Sequence, residues 1–373
     1  MSEVKGAVVS SKLGVEKKII DILYDAMDKH VFDSVMIPMS VPAKDAFDYV
    51  LIRDKSLLKD ASFLPPVMFV QGAKAVSSIT RLGKSKMIIA AVMRPCEARA
   101  TIELAKLGQV DLENIIIISM DCPGVLPYSN FLKDPDKNIK LFNEASKKLD
   151  DSIMRPVCQI CDKFSMISGD LHVGTHGVKS DTFLLISNSL KGEEIANKLG
   201  IKLKDNIDDW KSKVKSISKL KSDKRKNANK QLKATVGGID NLVDTFIHCI
   251  NCHNCMKVCP VCICRLCYFD SDKVKLSSED YVKKAESKGS IRFLPDTTLF
   301  QIGRMIHMSI SCVSCGSCED ACPMSIPVGQ IFSMISDETQ GLFDYVSGRS
   351  IDELIPTFTY KEDELHDMED TND

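Results

Sequence analysis

Two runs of cysteine constrain this chain more than anything else in it. Residues 248–260 read H-C-I-N-C-H-N-C-M-K-V-C-P, and residues 311–323 read S-C-V-S-C-G-S-C-E-D-A-C-P. Each run is C-x2-C-x2-C-x3-C-P, the bacterial ferredoxin spacing for a [4Fe–4S] cluster. Three cysteines at regular intervals wrap one face of a cuboidal cluster. The fourth, placed just before a proline, starts a helix that carries its thiolate across to the other cluster. The spacing therefore assigns Cys249, Cys252, Cys255 and Cys322 to one cluster, and Cys312, Cys315, Cys318 and Cys259 to the other. Two structural zinc sites are the competing reading, but zinc needs only paired CxxC units and no terminal Cys-Pro. The pattern is that of a protein that moves electrons.

At 373 residues the chain is long enough for about two or three domains with cores of their own. A formal net charge of -2 argues against a nucleic-acid binder. No stretch approaches the ~20 apolar residues of a membrane helix, so membrane insertion is not expected. The first residues, M-S-E-V-K-G-A-V-V-S-S-K, carry no signal-peptide pattern. Fifteen cysteines in such a chain point to metal chemistry rather than disulfides, because the cytosol keeps thiols reduced. A cytoplasmic, oxygen-sensitive protein is the expectation.

Along the chain, residues 16–30 place Ile19, Ile20, Leu23 and Met27 at helical spacing, which predicts an amphipathic helix. Short apolar runs follow at Val35–Met39, Val67–Val70, Met87–Met93, Ile115–Met120 and Thr182–Ile186, with helical patterns at 73–82, 96–107 and 191–199 between or after them. Strands alternating with helices predict an α/β layer around a mixed, partly parallel sheet. The lysine-rich stretch from about 202 to 234 is too polar for a core. It reads as a solvated helix or linker, or as a docking face for an acidic partner. The expected division is an α/β domain over 1–204, a lysine-rich helical linker over 205–245, a two-cluster ferredoxin-like domain over 246–345 and an acidic tail over 346–373.

Four more cysteines lie outside the ferredoxin region: Cys96 in R-P-C-E-A-R-A, Cys122 in D-C-P-G, and Cys158 with Cys161 in C-Q-I-C-D. Cys96 follows one predicted strand and opens a helix, where the local N–H groups favour a thiolate. Cys122 follows another strand, and the carboxyl ends of strands in an α/β sheet converge on one edge. Together the four thiols are enough for a third cluster. A zinc site or small buried apolar residues remain alternatives at this point. In G-D-L-H-V-G-T-H-G, Gly174 and Gly177 allow a close backbone approach such as a flat or phosphorylated cofactor needs, although a plain turn has the same signature.

Taken in order, R-P-C-E-A-R-A, D-C-P-G, C-Q-I-C-D with G-D-L-H-V-G-T-H-G, then C-P-V-C-I-C-R-L-C and S-C-V-S-C-G-S-C-E-D-A-C-P-M-S-I-P, give the chain a family likeness. It resembles the beta subunits of coenzyme F420-dependent formate dehydrogenase and hydrogenase, over about residues 85–335. The resemblance implies a flavoprotein-like α/β domain carrying FAD and a [4Fe–4S] cluster, with a two-[4Fe–4S] ferredoxin domain appended. It further implies that Cys96, Cys122, Cys158 and Cys161 hold the cluster beside the flavin, and that Gly174, Thr175 and Gly177 lie near the flavin. Coenzyme F420 would be the two-electron substrate. The partner would be a formate dehydrogenase or hydrogenase catalytic subunit, or a heterodisulfide-reductase-type flavoprotein. One departure stands out: where the family opens with Gly-Gly before its first helix, this chain reads S-K-L-G-V-E-K-K-I-I, with Gly14 alone and charged Glu16, Lys17 and Lys18.

Three thiols remain, Cys262, Cys264 and Cys267. They could form a site with Cys259, a three-cysteine site completed by a partner, or a set of free thiols. His248 and His253 flank predicted ligands without being needed as ligands, and Asp162 either tunes the neighbouring cluster or faces solvent. No nucleophile triad or P-loop appears, which argues against hydrolysis and phosphoryl transfer. Two functions follow from different classes. One is an oxidoreductase subunit that links a flavin to a partner through [4Fe–4S] clusters. The other is a flavin-free iron–sulfur adaptor with no substrate of its own.

Overall fold

The computed structural model describes residues 4–12, 14–179, 181–204, 207–264, 266–291 and 296–359. Its frame is a seven-stranded sheet in the order β1-β7-β6-β5-β4-β2-β3. The strands are β1 (Lys5–Ser10), β2 (Ser34–Ser40), β3 (Phe47–Ile52), β4 (Ile89–Val92), β5 (Ile115–Met120), β6 (Leu171–Gly174) and β7 (Thr182–Ser187). β2, β4, β5 and β6 run parallel, whereas β3, β7 and β1 pair antiparallel at the two sides. A mixed sheet is what alternating strands and helices predict.

The run I-I-I-I-S-M of β5 is buried at every position because both of its faces are covered. Ile116 and Ile118 pack with Leu23 of helix α1 (Val15–Asp28) and Phe183 of β7. Ile115 and Ile117 point the other way, onto helices α2 (Gly72–Thr80) and α3 (Pro95–Lys106). The apolar run Val67–Val70 forms no strand. Pro65 and Pro66 precede it, and two prolines with fixed φ and no N–H do not join a ladder.

After Ser187 the described residues are helical or irregular. A second core gathers Phe246, Met256, Phe300, Ile331 and Phe332 around the cysteine loops. The lysine-rich stretch is one continuous helix, Asp208–Val236, that is bonded to both lobes. On the sheet side, Ser218 Oγ donates to the Asp162 carbonyl (2.9 Å) and Lys221 Nζ to Asp151 (3.0 Å). On the other side, Arg225 grips Asp337 (2.6 Å) and Asn229 donates to the same carboxylate (2.8 Å). Its lysines other than Lys221 are exposed, while Trp210, Arg225 and Val236 are buried.

Residues 346–359, expected to begin an acidic tail, are instead docked, whereas residues 360–373 lie outside the described residues. Buried Glu103 of α3 accepts from the Tyr345 hydroxyl (2.7 Å) and the Gly348 N–H (2.8 Å), and pairs with Lys106 (3.0 Å). Replacing Glu103 with alanine strands the Gly348 N–H and leaves Lys106 and the Tyr345 hydroxyl with only each other in a dry setting. The expected result is a loss of about 3 kcal/mol or more in thermal unfolding, with new proteolysis near 343–349.

Candidate iron–sulfur electron-transfer site

The site grows out of the carboxyl ends of neighbouring strands. β4 runs through Arg94 into α3, whose first turn holds Cys96 behind Pro95. Glu97 fixes that turn by accepting from the Arg94 N–H (2.8 Å) and the Gly72 N–H (2.7 Å). β5 ends at Met120 and delivers Cys122 two residues later. Cys158 sits on the single turn Pro156–Gln159, with Cys161 just beyond it. All four thiols line one hollow, and Cys315 of the second lobe lines it too.

Burial pushes the Cys96 and Cys161 thiols up, and Cys158 up to about 12. Thiols in so dry a place ionise only against positive charge. One such charge is Arg94, whose Nη1 donates to Cys122 Sγ (3.0 Å) and to the Gly124 carbonyl (3.2 Å), with Nη2 on the Pro65 carbonyl.

In the second lobe the cysteine runs cross over. Cys255 feels the charges of Cys249 and Cys322, whereas Cys318 feels those of Cys259, Cys315 and Cys312. Each fourth cysteine is thus within electrostatic reach of the other run. Burial raises Cys259 to about 12 and Cys312 to about 11. Arg304, on the helix Thr297–Met308, donates from Nη1 to Cys255 Sγ (3.1 Å) and from Nη2 to the Cys255 carbonyl (3.1 Å). Its Nε is buried without a partner.

The two lobes meet closely because Gly316 follows Cys315. Its φ of +75° suits glycine, and a Cβ there would stand 2.3 Å from Val157 Cγ2, beside Cys158. Arg155 seals the contact from the sheet side through Asp320 (2.5 Å), the Met68 carbonyl (2.9 Å) and the Cys315 carbonyl (3.3 Å). The hollow around Cys96 therefore borders the group that contains Cys315, and that group borders the one around Cys255.

Gly174, Thr175 and Gly177 lie at the end of β6, packed against the start of the Asp208–Val236 helix. A Cβ on Gly174 would meet Trp210, and one on Gly177 the Asp209 carbonyl. The Thr175 and His176 N–H groups donate to Asp121 Oδ2 (2.7 and 3.1 Å). Asp121 also accepts from Trp210 Nε1 (3.0 Å) and Ser165 Oγ, and bonds His172 Nε2 (3.0 Å). Burial resists its ionisation, yet the bond and charge of His172, with help from His176 and Ser165, hold its carboxyl well below the usual carboxylate range. This hub was not singled out from sequence. D-C-P-G shows an aspartate beside Cys122, but its partners come from residues 165–210 and converge only in the fold.

The flanking residues have local partners. His253 bonds Asp270 (2.8 Å) and stacks on Phe300 with ring centroids 4.2 Å apart, His248 is exposed, and Asp162 pairs with Lys163 (3.2 Å). Glu16 at the start of α1 accepts from the Phe63 N–H (2.8 Å) and the Ser62 hydroxyl (3.1 Å). Cys262 and Cys267 pack against the second core, and Cys264 is exposed. Among the described residues, no three His, Cys, Asp or Glu side chains close in tightly enough to hold a single metal ion.

Residues 245–326 match the 4Fe-4S dicluster domain family, which supports two iron–sulfur clusters and a role in electron transfer. The F420-reducing [NiFe] hydrogenase complex of Methanosarcina barkeri, in its xenon derivative, contains a chain 12% identical to this one. The TM-score is 0.45, covering 64% of this chain and 93% of that one. The F420-dependent formate dehydrogenase subunit beta of Methanocaldococcus jannaschii is 30% identical over 302 residues, which is 72% of this chain and 75% of the relative. The F420-dependent formate dehydrogenase 1 subunit beta of Methanococcus maripaludis is 30% identical over 368 residues, or 86% and 88% of the two chains. Because that identity runs through both lobes and most of either relative, the chain belongs to the family of F420-dependent formate dehydrogenase beta subunits.

Proposed function

We propose that this oxidoreductase subunit passes electrons between a two-electron carrier and a catalytic partner subunit along three [4Fe–4S] sites. Cys96, Cys122, Cys158 and Cys161 would hold the first. Cys312, Cys315, Cys318 and Cys259 would hold the second, and Cys249, Cys252, Cys255 and Cys322 the third. The observation that carries this reading is the unbroken succession of thiol groups, with Cys315 bordering the Cys96 hollow. The donor set fits a cluster: it consists of soft thiols, all but exposed Cys252 at least half-buried, with buried guanidinium groups on Cys122 and Cys255.

A flavin has a plausible place in the apolar cleft between the lobes. Half-exposed Phe69 packs tilted against Tyr128 with centroids 5.2 Å apart, and Lys74 and Lys257 also line the cleft. These groups suit a planar ring and its phosphates. Met68 lines both this cleft and the Cys96 hollow. When bound, a flavin exchanges paired electrons for single ones, and the clusters relay single electrons. The relatives' names suggest coenzyme F420 as the carrier and a formate dehydrogenase catalytic chain as the partner.

One observation favours the flavin-free adaptor. The turn at Gly174–Gly177 spends its N–H groups on Asp121 and its open glycine faces on Trp210 and Asp209. Acid extraction of anaerobically prepared chain separates the two. The expected result is about twelve iron atoms per chain, matching labile sulfide, and FAD in the supernatant. Iron without flavin gives the adaptor, and neither iron nor sulfide overturns both readings.

A further inference from the structure

Arg304 presents a problem of charge. It is 3% exposed, and its guanidinium packs over the ring of Phe332 at 4.7 Å. Its polar contacts are Cys255 Sγ, the Cys255 carbonyl and, at 3.5 Å, Gln301 Oε1. No carboxylate among the described residues pairs with it. An isolated buried cation costs several kcal/mol, and arginine does not escape that cost by losing its proton. The groups around it that can carry negative charge are thiols: Cys255 in direct contact, Cys262 bonded to it, and Cys259 and Cys318 within electrostatic reach. The cation therefore acts on thiols of both C-terminal groups rather than of one alone.

We propose that Arg304 is a positioning residue that acts as a shared counter-charge, making both C-terminal clusters easier to reduce than their burial alone would allow. This rests on the cluster assignment above. Each electron added makes a thiolate-ligated cluster more negative, and a fixed cation in a low-dielectric setting favours that state. Gln301 reinforces the arrangement by reaching Cys249 Sγ at 3.6 Å. The Cys96 group has its own arginine, Arg94, so the influence of Arg304 falls on the two C-terminal clusters and spares the first. Because the guanidinium keeps its proton throughout, the effect does not depend on pH over the range in which the protein is folded.

The test is an anaerobic, dithionite-driven redox titration of the full chain, followed by electron paramagnetic resonance. In Arg304→Gln the midpoints of both C-terminal clusters are expected to fall while that of the Cys96 group stays put. In Arg304→Lys most of the shift is expected to be undone. If Arg304→Gln loses cluster signals but Arg304→Lys keeps them at near-native potential, the charge assignment also stands. Unchanged midpoints in fully loaded Arg304→Gln overturn it, as does loss of the signals in both variants. A wild-type chain without iron and sulfide removes the cluster assignment itself, an outcome separate from any variant's potential.

Discussion

Replacing Cys158 with serine is expected to lower iron from about twelve to about eight atoms per chain and leave the two ferredoxin clusters in place. Serine is nearly isosteric with cysteine but offers a hard oxygen of high pKa in place of a soft thiolate, so the cluster's fourth corner goes unheld. The loss stays local because Cys158 belongs to the sheet-side hollow, whereas the second core closes around Phe246, Phe300 and Phe332 on its own. Exposed Cys264→Ser is the control and should keep its full complement of iron. Equal iron in Cys158→Ser and wild type would sink the site built from Cys96, Cys122, Cys158 and Cys161. Electron flow from the flavin side to the partner should drop by orders of magnitude even though the C-terminal signals persist.

The second large effect is expected at Asp121. Alanine there strands the buried Trp210 indole N–H and removes the acceptor of the part-buried Thr175 and His176 N–H groups. It also removes the anion beside fully buried His172. The cost should be about 3–5 kcal/mol, read as a fall of several degrees or more in the unfolding temperature. The variant should also lose iron from the neighbouring Cys122 site. Asparagine, which keeps an acceptor, should recover part of the stability. The pH dependence has a definite sign. The Asp121 carboxyl is held below its unfolded value, so its contribution is complete above about pH 4. That contribution drains away only as acid carries the pH through the lower, folded value. Acid unfolding should thus begin at higher pH in Asp121→Asn than in the wild-type chain.

Periodicity and spacing made much of this molecule legible. Residues 16–30 and 96–107 announce α1 and α3 through apolar residues at helical intervals, and Ile115–Met120 announces β5 as a short run that is apolar except at Ser119. The doubled cysteine pattern carries its own geometry. β1, β3 and β6 were harder to see. β1 and β3 are exposed side strands of mixed character, and β6 is only four residues long, with a histidine facing Asp121. Pairing partners, not local preference, make these segments strands. Arg94, Arg155 and Arg304 were silent for a related reason: a cation's role depends on what closes around it, and no local pattern records that. Glu16, charged where the family has its Gly-Gly opening, ties α1 to residues 62–63.

The long helix over residues 208–236 has one further bearing on how the molecule works. A strut of 29 residues, roughly 43 Å end to end, is fastened to both lobes. Bonds at both lobes argue for a fixed brace rather than a courier swinging on a tether. The gaps an electron must tunnel across are then constants of the architecture, and solvent drag has no lever on how fast it hops.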